Sequence, residues 1–263
     1  MNYSQKLLVY CSILANGDWK KMYELMTQGI LEKRPIDLEE KVSKVKSGVL
    51  TMLDENYPSY IKNMIACPPF VLYYYGDISL ISDFENNIAV VGSRECTEYG
   101  IEATKDIVKH LSKKYVIVSG MAEGIDSVAH QTAIKNKGKT IAVLGTGIDK
   151  CYPASSKDIY DYLKKNKVNL IISEHPLNCC PMGSFPARNR LIAGFSRATI
   201  VTEAHDKSGT SITATCALEQ GKDVLCVPYD RKIGSFCNYL IKNGAGLIED
   251  GKDALFELER WKK

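Results

Sequence analysis

Residues able to do chemistry crowd into one stretch of this chain, Phe185 to Ala214, FPARNRLIAGFSRATIVTEAHDKSGTSITA. Arg188, Asn189 and Arg190 come first, followed by a short apolar turn, Leu191-Ile192-Ala193. A buried strand is predicted over Ala198 to Val201, ending in Thr202 and Glu203. The loop Lys207-Ser208-Gly209 then leads into a helix beginning near Thr210. A strand, a glycine loop and a helix N-terminus together make an anion site, because unpaired backbone N–H groups and the positive end of the helix dipole face one spot. Arg188 and Arg190 would add bidentate phosphate donors to it. The competing reading is an ordinary αβα turn whose arginines are solvated surface charges.

The elements that must position this stretch follow from periodicity. Short Val- and Ile-rich runs at Ile88–Val91, Val116–Val118, Thr140–Leu144, Leu170–Ser173, Ala198–Thr202 and Val224–Val227 are separated by helix-length amphipathic segments, among them Ile101–Lys113 and Thr210–Gln220. That alternation predicts an α/β fold, a Rossmann-like doubly wound, mainly parallel sheet covered on both faces. In such sheets ligands bind outside the carboxyl ends of the strands. Ser93-Arg94 follows the first run, Ser119-Gly120-Met121-Ala122 the second, and Gly145-Thr146-Gly147 the third. Glu174 and a Pro-rich loop follow the fourth. Each glycine loop alone is explained by a tight turn; together with Arg94, Arg188, Arg190 and Lys207 they predict a phosphate-binding groove. Phe185 or Tyr152 beside it can stack a base, or pack in the core.

Residues 1–81 differ in character. Leu7 to Leu14 and Trp19 to Met26 fit helical faces, and Pro58, Pro68 and Pro69 interrupt a connecting block. A small helical N-terminal domain with a connecting segment is expected over 1–81, and the Rossmann-like domain over 82–263. Tyr73-Tyr74-Tyr75 reads as a strand at the junction rather than a stacking platform.

Several chemistries are missing. Gly92-Ser93-Arg94 does not continue as a dinucleotide fingerprint, and no P-loop pattern occurs. The histidines His110, His130, His175 and His205 have no metal-ligand spacing, so neither metal nor cofactor is expected. Asp126 and His130 share a helix face, but Asp126 is read as the helix N-cap. Net charge is only +3, so a basic site must come from local clustering. The nine cysteines are odd in number and contain no CxxC. With no signal peptide and no run of about 18 apolar residues, a reduced cytoplasmic protein without membrane contact is expected.

The motifs VGSR (Val91 to Arg94), SGMAEGID (Ser119 to Asp126), GTGIDKCYP (Gly145 to Pro153), FPxRNRxIAG, EAxxxSGT and NYLIKNGA (Asn238 to Ala245) occur in this order. The chain in this respect resembles the DNA-processing protein A (DprA/Smf) family over roughly Val49 to Glu259. The resemblance implies a non-enzymatic single-stranded DNA-binding protein of natural transformation and recombination, which protects incoming DNA and helps load the RecA recombinase. It also implies a homodimer formed through the segment holding Ile241 and Leu247, two residues that pattern alone could equally place in the core. The DNA-contacting set it points to is Ser93, Arg94, Ser119, Gly120, Met121, Ala122, Gly145, Gly147, Phe185, Arg188, Asn189, Arg190, Lys207, Ser208 and Gly209. Two positions depart from the family pattern: Ala154 and Met182 stand where relatives carry basic residues, with Lys150 and Lys157 as substitutes. The alternative is a nucleotide hydrolase resembling the lysine-decarboxylase-like phosphoribohydrolases. That signature, PGGxGTxxE, is broken here, because Thr213 occupies the position of its glutamate and no PGG precedes Gly209-Thr210.

Overall fold

The computed structural model describes residues 1–29, 34–205, 209–231 and 235–260. The N-terminal part holds helices α1 (Tyr3–Ala15), α2 (Trp19–Thr27) and α3 (Leu38–Ser43), strand β1 (Gly48–Thr51), helix α4 (Ser59–Met64) and strand β2 (Val71–Gly76). Alternation then begins: β3 (Asn87–Gly92), α5 (Glu98–Leu111), β4 (Val116–Ser119), α6 (Ile125–Lys135), β5 (Thr140–Val143), α7 (Lys157–Lys165) and β6 (Leu170–Ser173). It continues through α8 (Ser184–Gly194), β7 (Ala198–Glu203), α9 (Gly209–Glu219), β8 (Asp223–Cys226), α10 (Phe236–Lys242), β9 (Gly246–Leu247) and α11 (Gly251–Arg260).

All nine strands form one sheet in the order β1-β2-β6-β5-β4-β3-β7-β8-β9. From β6 to β9 every pairing is parallel, while β1 and β2 add an antiparallel edge. The fold class expected from the Val/Ile runs is the one found. Strand residues alternate between two covered faces, as the period of two requires. Val91, Val118, Val143 and Val201 pack against α8 and α9 on one side. Ile88, Val90, Ile117 and Ile200 pack against α5, α6 and α11 on the other. Each such side chain, fully buried, contributes about 1.5–3 kcal/mol.

The connecting segment adds to the sheet, because β2 pairs with β6 through Tyr73↔Ser173 to Gly76↔Leu170. The helices α1 to α3 share a core with Ala142 and Ile171 of the parallel sheet. Val71, Leu72 and Tyr73 of β2 are buried, Val71 and Tyr73 in the core shared with α1 to α3 and Leu72 in the core under the opposite face. Leu191 to Ala193, read as a turn, lie inside α8. Pro186 falls in the first turn of that helix, where its missing N–H costs nothing, and Gly194 is its last residue.

Candidate nucleic-acid interface

Chain order along the sheet runs outward from β3 in one direction through β4, β5 and β6, and in the other through β7, β8 and β9. The switch point is therefore between β3 and β7, and a cleft of about 350 Å³ opens at their carboxyl ends. Its walls come from the Gly92–Glu95 turn after β3, the N-terminal turn of α6, one face of α8 and the first turn of α9, with His205 at the end of β7. This is the place where open α/β sheets bind ligands.

Close backbone approaches build the first wall. A Cβ on Gly92 would meet Ile125 and the Glu203 carbonyl at 2.6–2.8 Å. Gly124 has φ +72° and sits against the carbonyls of Ser93 and Arg94, so α6 begins directly on that turn. The Ser93 N–H donates to the Glu203 carbonyl at 2.8 Å and the Ser93 hydroxyl to the Glu95 carbonyl. These bonds leave Arg94 projecting, exposed, between the main cleft and a smaller recess lined by Tyr152 and Phe185. Its guanidinium has no ion pair among the described residues, so its charge is available to a ligand.

Arg188 forms the floor. It is buried, and one terminal nitrogen donates to the Gly120 carbonyl at 2.6 Å and to the Val143 carbonyl. Burial pulls its pKa down to about 10, with Asp126 opposing that shift, so it stays charged at neutral pH. Asp126 is also buried and accepts the N–H groups of Gly120 and Ala122 at 3.1 and 3.4 Å. Burial raises its carboxyl pKa, against the lowering pull of Arg188. Asp126 is not the N-cap expected; Gly124 holds that position and Asp126 lies inside the helix, closing the 120–122 turn. A Cβ on Gly120 would collide with both Asp126 and Arg188, at 2.6 and 2.8 Å.

Asn189 ties α8 to α9 by donating from Nδ2 to the Gly209 carbonyl at 3.1 Å. At the far end of α8, Lys222 donates to the carbonyls of Ala193, Gly194 and Ser196 at 2.6–2.9 Å. The helix carrying Arg188 is thus pinned at its middle and at its C-terminal end. Phe185 lies against Tyr152 with ring centroids 5.3 Å apart and planes tilted by 49°. Tyr152 is exposed, so the pair presents an aromatic edge to the recess.

Other predicted residues have different tasks. Arg190 faces away from the cleft: its donors go to Glu174, the Ala66 and Cys67 carbonyls and the Ala187 carbonyl. Nearness in sequence suggests a neighbour of Arg188, but residues two apart on a helix point to different sides. The Ser119 hydroxyl donates to the Val90 carbonyl, and Met121 is buried in a left-handed turn at φ +61°. Gly145 admits the Phe185 ring, where a Cβ would lie 2.6 Å from it. Gly147 packs on the 176–179 segment and its N–H donates to the Cys179 carbonyl. These two glycines are open to side chains and backbone of the protein rather than to a phosphate. Lys207 and Ser208 lie outside the described residues, while Gly209 opens α9 with free space above it. Ala154 and Met182 are exposed, and Lys157 is paired with Asp161 at 2.6 Å. Ile241 is half-buried against the core and Leu247 is exposed on the edge strand β9.

The two carboxylates at strand ends, Glu174 and Glu203, are both committed to structure. Glu174 is paired with Arg190. Glu203 accepts the N–H and hydroxyl of Thr97, the residue that caps α5. His130 is buried with Nδ1 2.8 Å from the Thr140 hydroxyl, away from Asp126. Among the cleft residues that sequence reasoning did not select is His205.

A family model described as DNA recombination-mediator protein A matches residues 48–259. The DNA processing protein DprA of Streptococcus pneumoniae is 41% identical over 212 residues, covering 80% of this chain and 73% of that protein. Its counterpart in Bacillus subtilis is 39% identical over 216 residues, covering 80% and 71%. The X-ray structure of DprA from Streptococcus pneumoniae superposes with a TM-score of 0.78 at 36% identity, over 96% of this chain and 91% of that one. DprA from Helicobacter pylori, described for its single-stranded DNA binding mode, superposes with a TM-score of 0.72 at 29% identity, over 83% and 98%. With an ordered set of motifs, a switch-point cleft and this breadth of similarity, the chain belongs to the DNA recombination-mediator protein A (DprA/Smf) family.

Proposed function

We infer that this chain binds single-stranded DNA in the switch-point cleft and acts in recombination without catalysing a reaction. The observation that carries this reading is Arg94, an uncommitted guanidinium held at the mouth of a cleft whose floor is the charged Arg188. Two cations and the first turn of α9 suit successive phosphates, and they carry no base readout, so binding should be sequence-tolerant and salt-sensitive. The Tyr152–Phe185 pair offers one base an aromatic surface. The single-stranded DNA bound by the Helicobacter pylori relative supports the same ligand.

In the finer reading, the protein works in the cytoplasm as a homodimer through the Ile241–Leu247 segment. It protects strands taken up during natural transformation and helps load RecA. Two joined clefts on one strand gain avidity without new contacts.

Fluorescence anisotropy with single- and double-stranded oligonucleotides tests the reading. Arg94→Ala should weaken single-strand binding by about 1–3 kcal/mol, the scale of a charged hydrogen bond, and leave thermal unfolding unchanged. An unchanged isotherm would remove the cleft from DNA binding. Mononucleotides that displace the strand and are hydrolysed would favour the phosphoribohydrolase alternative instead. Filament assembly by RecA on strands coated with a single-strand binding protein, with and without this chain, tests the loading step.

A further inference from the structure

His205 stands between two cavities. One is the cleft described above; the other, about 400 Å³, lies on the far side of the same residue and is walled by Tyr99 and Tyr229. The imidazole is 53% exposed, and its Nε2 lies 3.5 Å from Oε1 of Glu203, which is almost wholly buried. Thr97 fixes that carboxylate with its N–H at 2.9 Å and its hydroxyl at 3.1 Å. Among the described residues no other cationic side chain comes within 4 Å of it. The imidazole thus faces a buried, ordered carboxylate with which a protonated ring would form an ion pair.

The surrounding charges make that proton consequential. On the cleft side His205 faces Arg94 and Arg188, opposed by Glu95 and Asp126. On the other side it faces Glu203 and Asp230, and the phenols of Tyr99 and Tyr229. Burial raises both phenol pKa values, so neither phenol ionises near neutrality. Among the described residues the carboxylates outnumber the arginines around the ring, and one added positive charge alters what a phosphate meets on approaching the first turn of α9.

We propose that His205, held by Glu203, is a phosphate-binding cation of this cleft, and that its protonation makes affinity for a polyanionic strand depend on pH. The proposal rests on the DNA-binding reading of the cleft and adds a residue and a regulation to it. The other histidines do not line the cleft: His130 and His175 are buried against Thr140 and the Asn16 carbonyl, and His110 bonds to the Asp106 carbonyl on α5. Neither phosphodiesters nor thymine titrate across the imidazole range, so an oligothymidylate isolates the protein's contribution.

The experiment measures anisotropy of labelled oligothymidylate with the full chain at about pH 6 and about pH 8, at one low ionic strength. The unmodified protein should bind roughly three- to tenfold tighter at the lower pH, the span expected of one partly exposed charge contact. His205→Gln keeps a donor toward Glu203 and should bind equally at both values, at the weaker level. His205→Lys should bind equally at both, at the tighter level. Circular dichroism melts check that both variants fold. A flat profile for the unmodified protein, or an undiminished pH effect in His205→Gln, overturns the proposal. If binding is flat with pH but lost in Arg94→Ala, His205 is excluded and the cleft stands. If the unmodified protein binds at neither pH, the cleft reading fails and this inference with it.

Discussion

The guanidinium of Arg190 closes on the carboxylate of Glu174 with both terminal nitrogens, Nη1 to Oε2 at 2.6 Å and Nη2 to Oε1 at 3.2 Å. The same side chain reaches back through Nε and Nη2 to the carbonyls of Ala66 and Cys67. One arginine therefore joins the segment before β2, the loop after β6 and helix α8. Arg188, two residues earlier, turns into the sheet and underlies the cleft. Two basic residues of one motif divide between a clamp and the floor of the cleft.

Arg190→Ala should accordingly act on stability. Its partner is 7% exposed as a side chain, so removing the arginine leaves a buried carboxylate uncompensated, at a cost of about 3–5 kcal/mol. Urea unfolding should show a lower midpoint with little change in slope. At low temperature, where the variant remains folded, the salt dependence of DNA binding should match that of the unmodified protein. A flattened salt slope with unchanged stability would put Arg190 in the phosphate contacts after all.

His130 gives a prediction in acid. The Thr140 hydroxyl donates to the Ile117 carbonyl, so Nδ1 of His130 must be the donor to Thr140, and the ring is neutral with Nε2 unprotonated. Burial, aided by Arg188, pulls its pKa down to about 3. An unfolded histidine titrates near ~6.5. Between those values the unfolded chain binds the extra proton, so the stability associated with the neutral ring is fully present above the unfolded value. It is lost as pH falls toward the folded one, at up to about 1.4 kcal/mol per pH unit. Unfolding free energies of the unmodified protein and His130→Gln, followed from neutral pH downward, should converge. Parallel curves would show that the ring titrates alike in both states.

Much of this fold could be read from the chain because its central strands are short Val/Ile runs bounded by glycine turns. The strands β1 and β9 escaped because GVLT and GL are too short to show a period. Helix α8 escaped reading because Leu191 to Ala193 suggest a turn, while in space they lie inside one helix with Pro186 in its first turn and Gly194 as its last residue. At the site, residue type announced charge but not direction: Arg188 and Arg190 are equal in sequence and opposite in placement. Glycines carried the same ambiguity. Gly145 and Gly147 do mark close approaches, yet what approaches is the Phe185 ring and the 176–179 backbone. His205 went unselected because its meaning lies in Glu203, whose burial only the packed structure reveals.

The proposed self-association segment yields the last prediction, since its two apolar residues are not equivalent. Leu247 is 45% exposed on β9, the last strand of the sheet, bonded to β8 on one side only. Ile241 is half-buried and packs against the core cluster that includes Leu240 and Cys237. A glutamate at 247 meets solvent in the monomer, so Leu247→Glu should unfold cooperatively at an unchanged temperature while light scattering shows loss of dimer. A glutamate at 241 must leave water, so Ile241→Glu should lose about 1–3 kcal/mol of stability whatever the assembly does. Tyr239, also exposed and stacked on Phe236 with centroids 5.5 Å apart, adds a second exposed apolar residue to the same segment. A two-fold contact would repeat that surface on both subunits and bury it from each side. An unmodified protein that is monomeric at micromolar concentration would rule out the dimer. If it is dimeric and Leu247→Glu leaves it so, the contact lies elsewhere and β9 is an ordinary sheet edge.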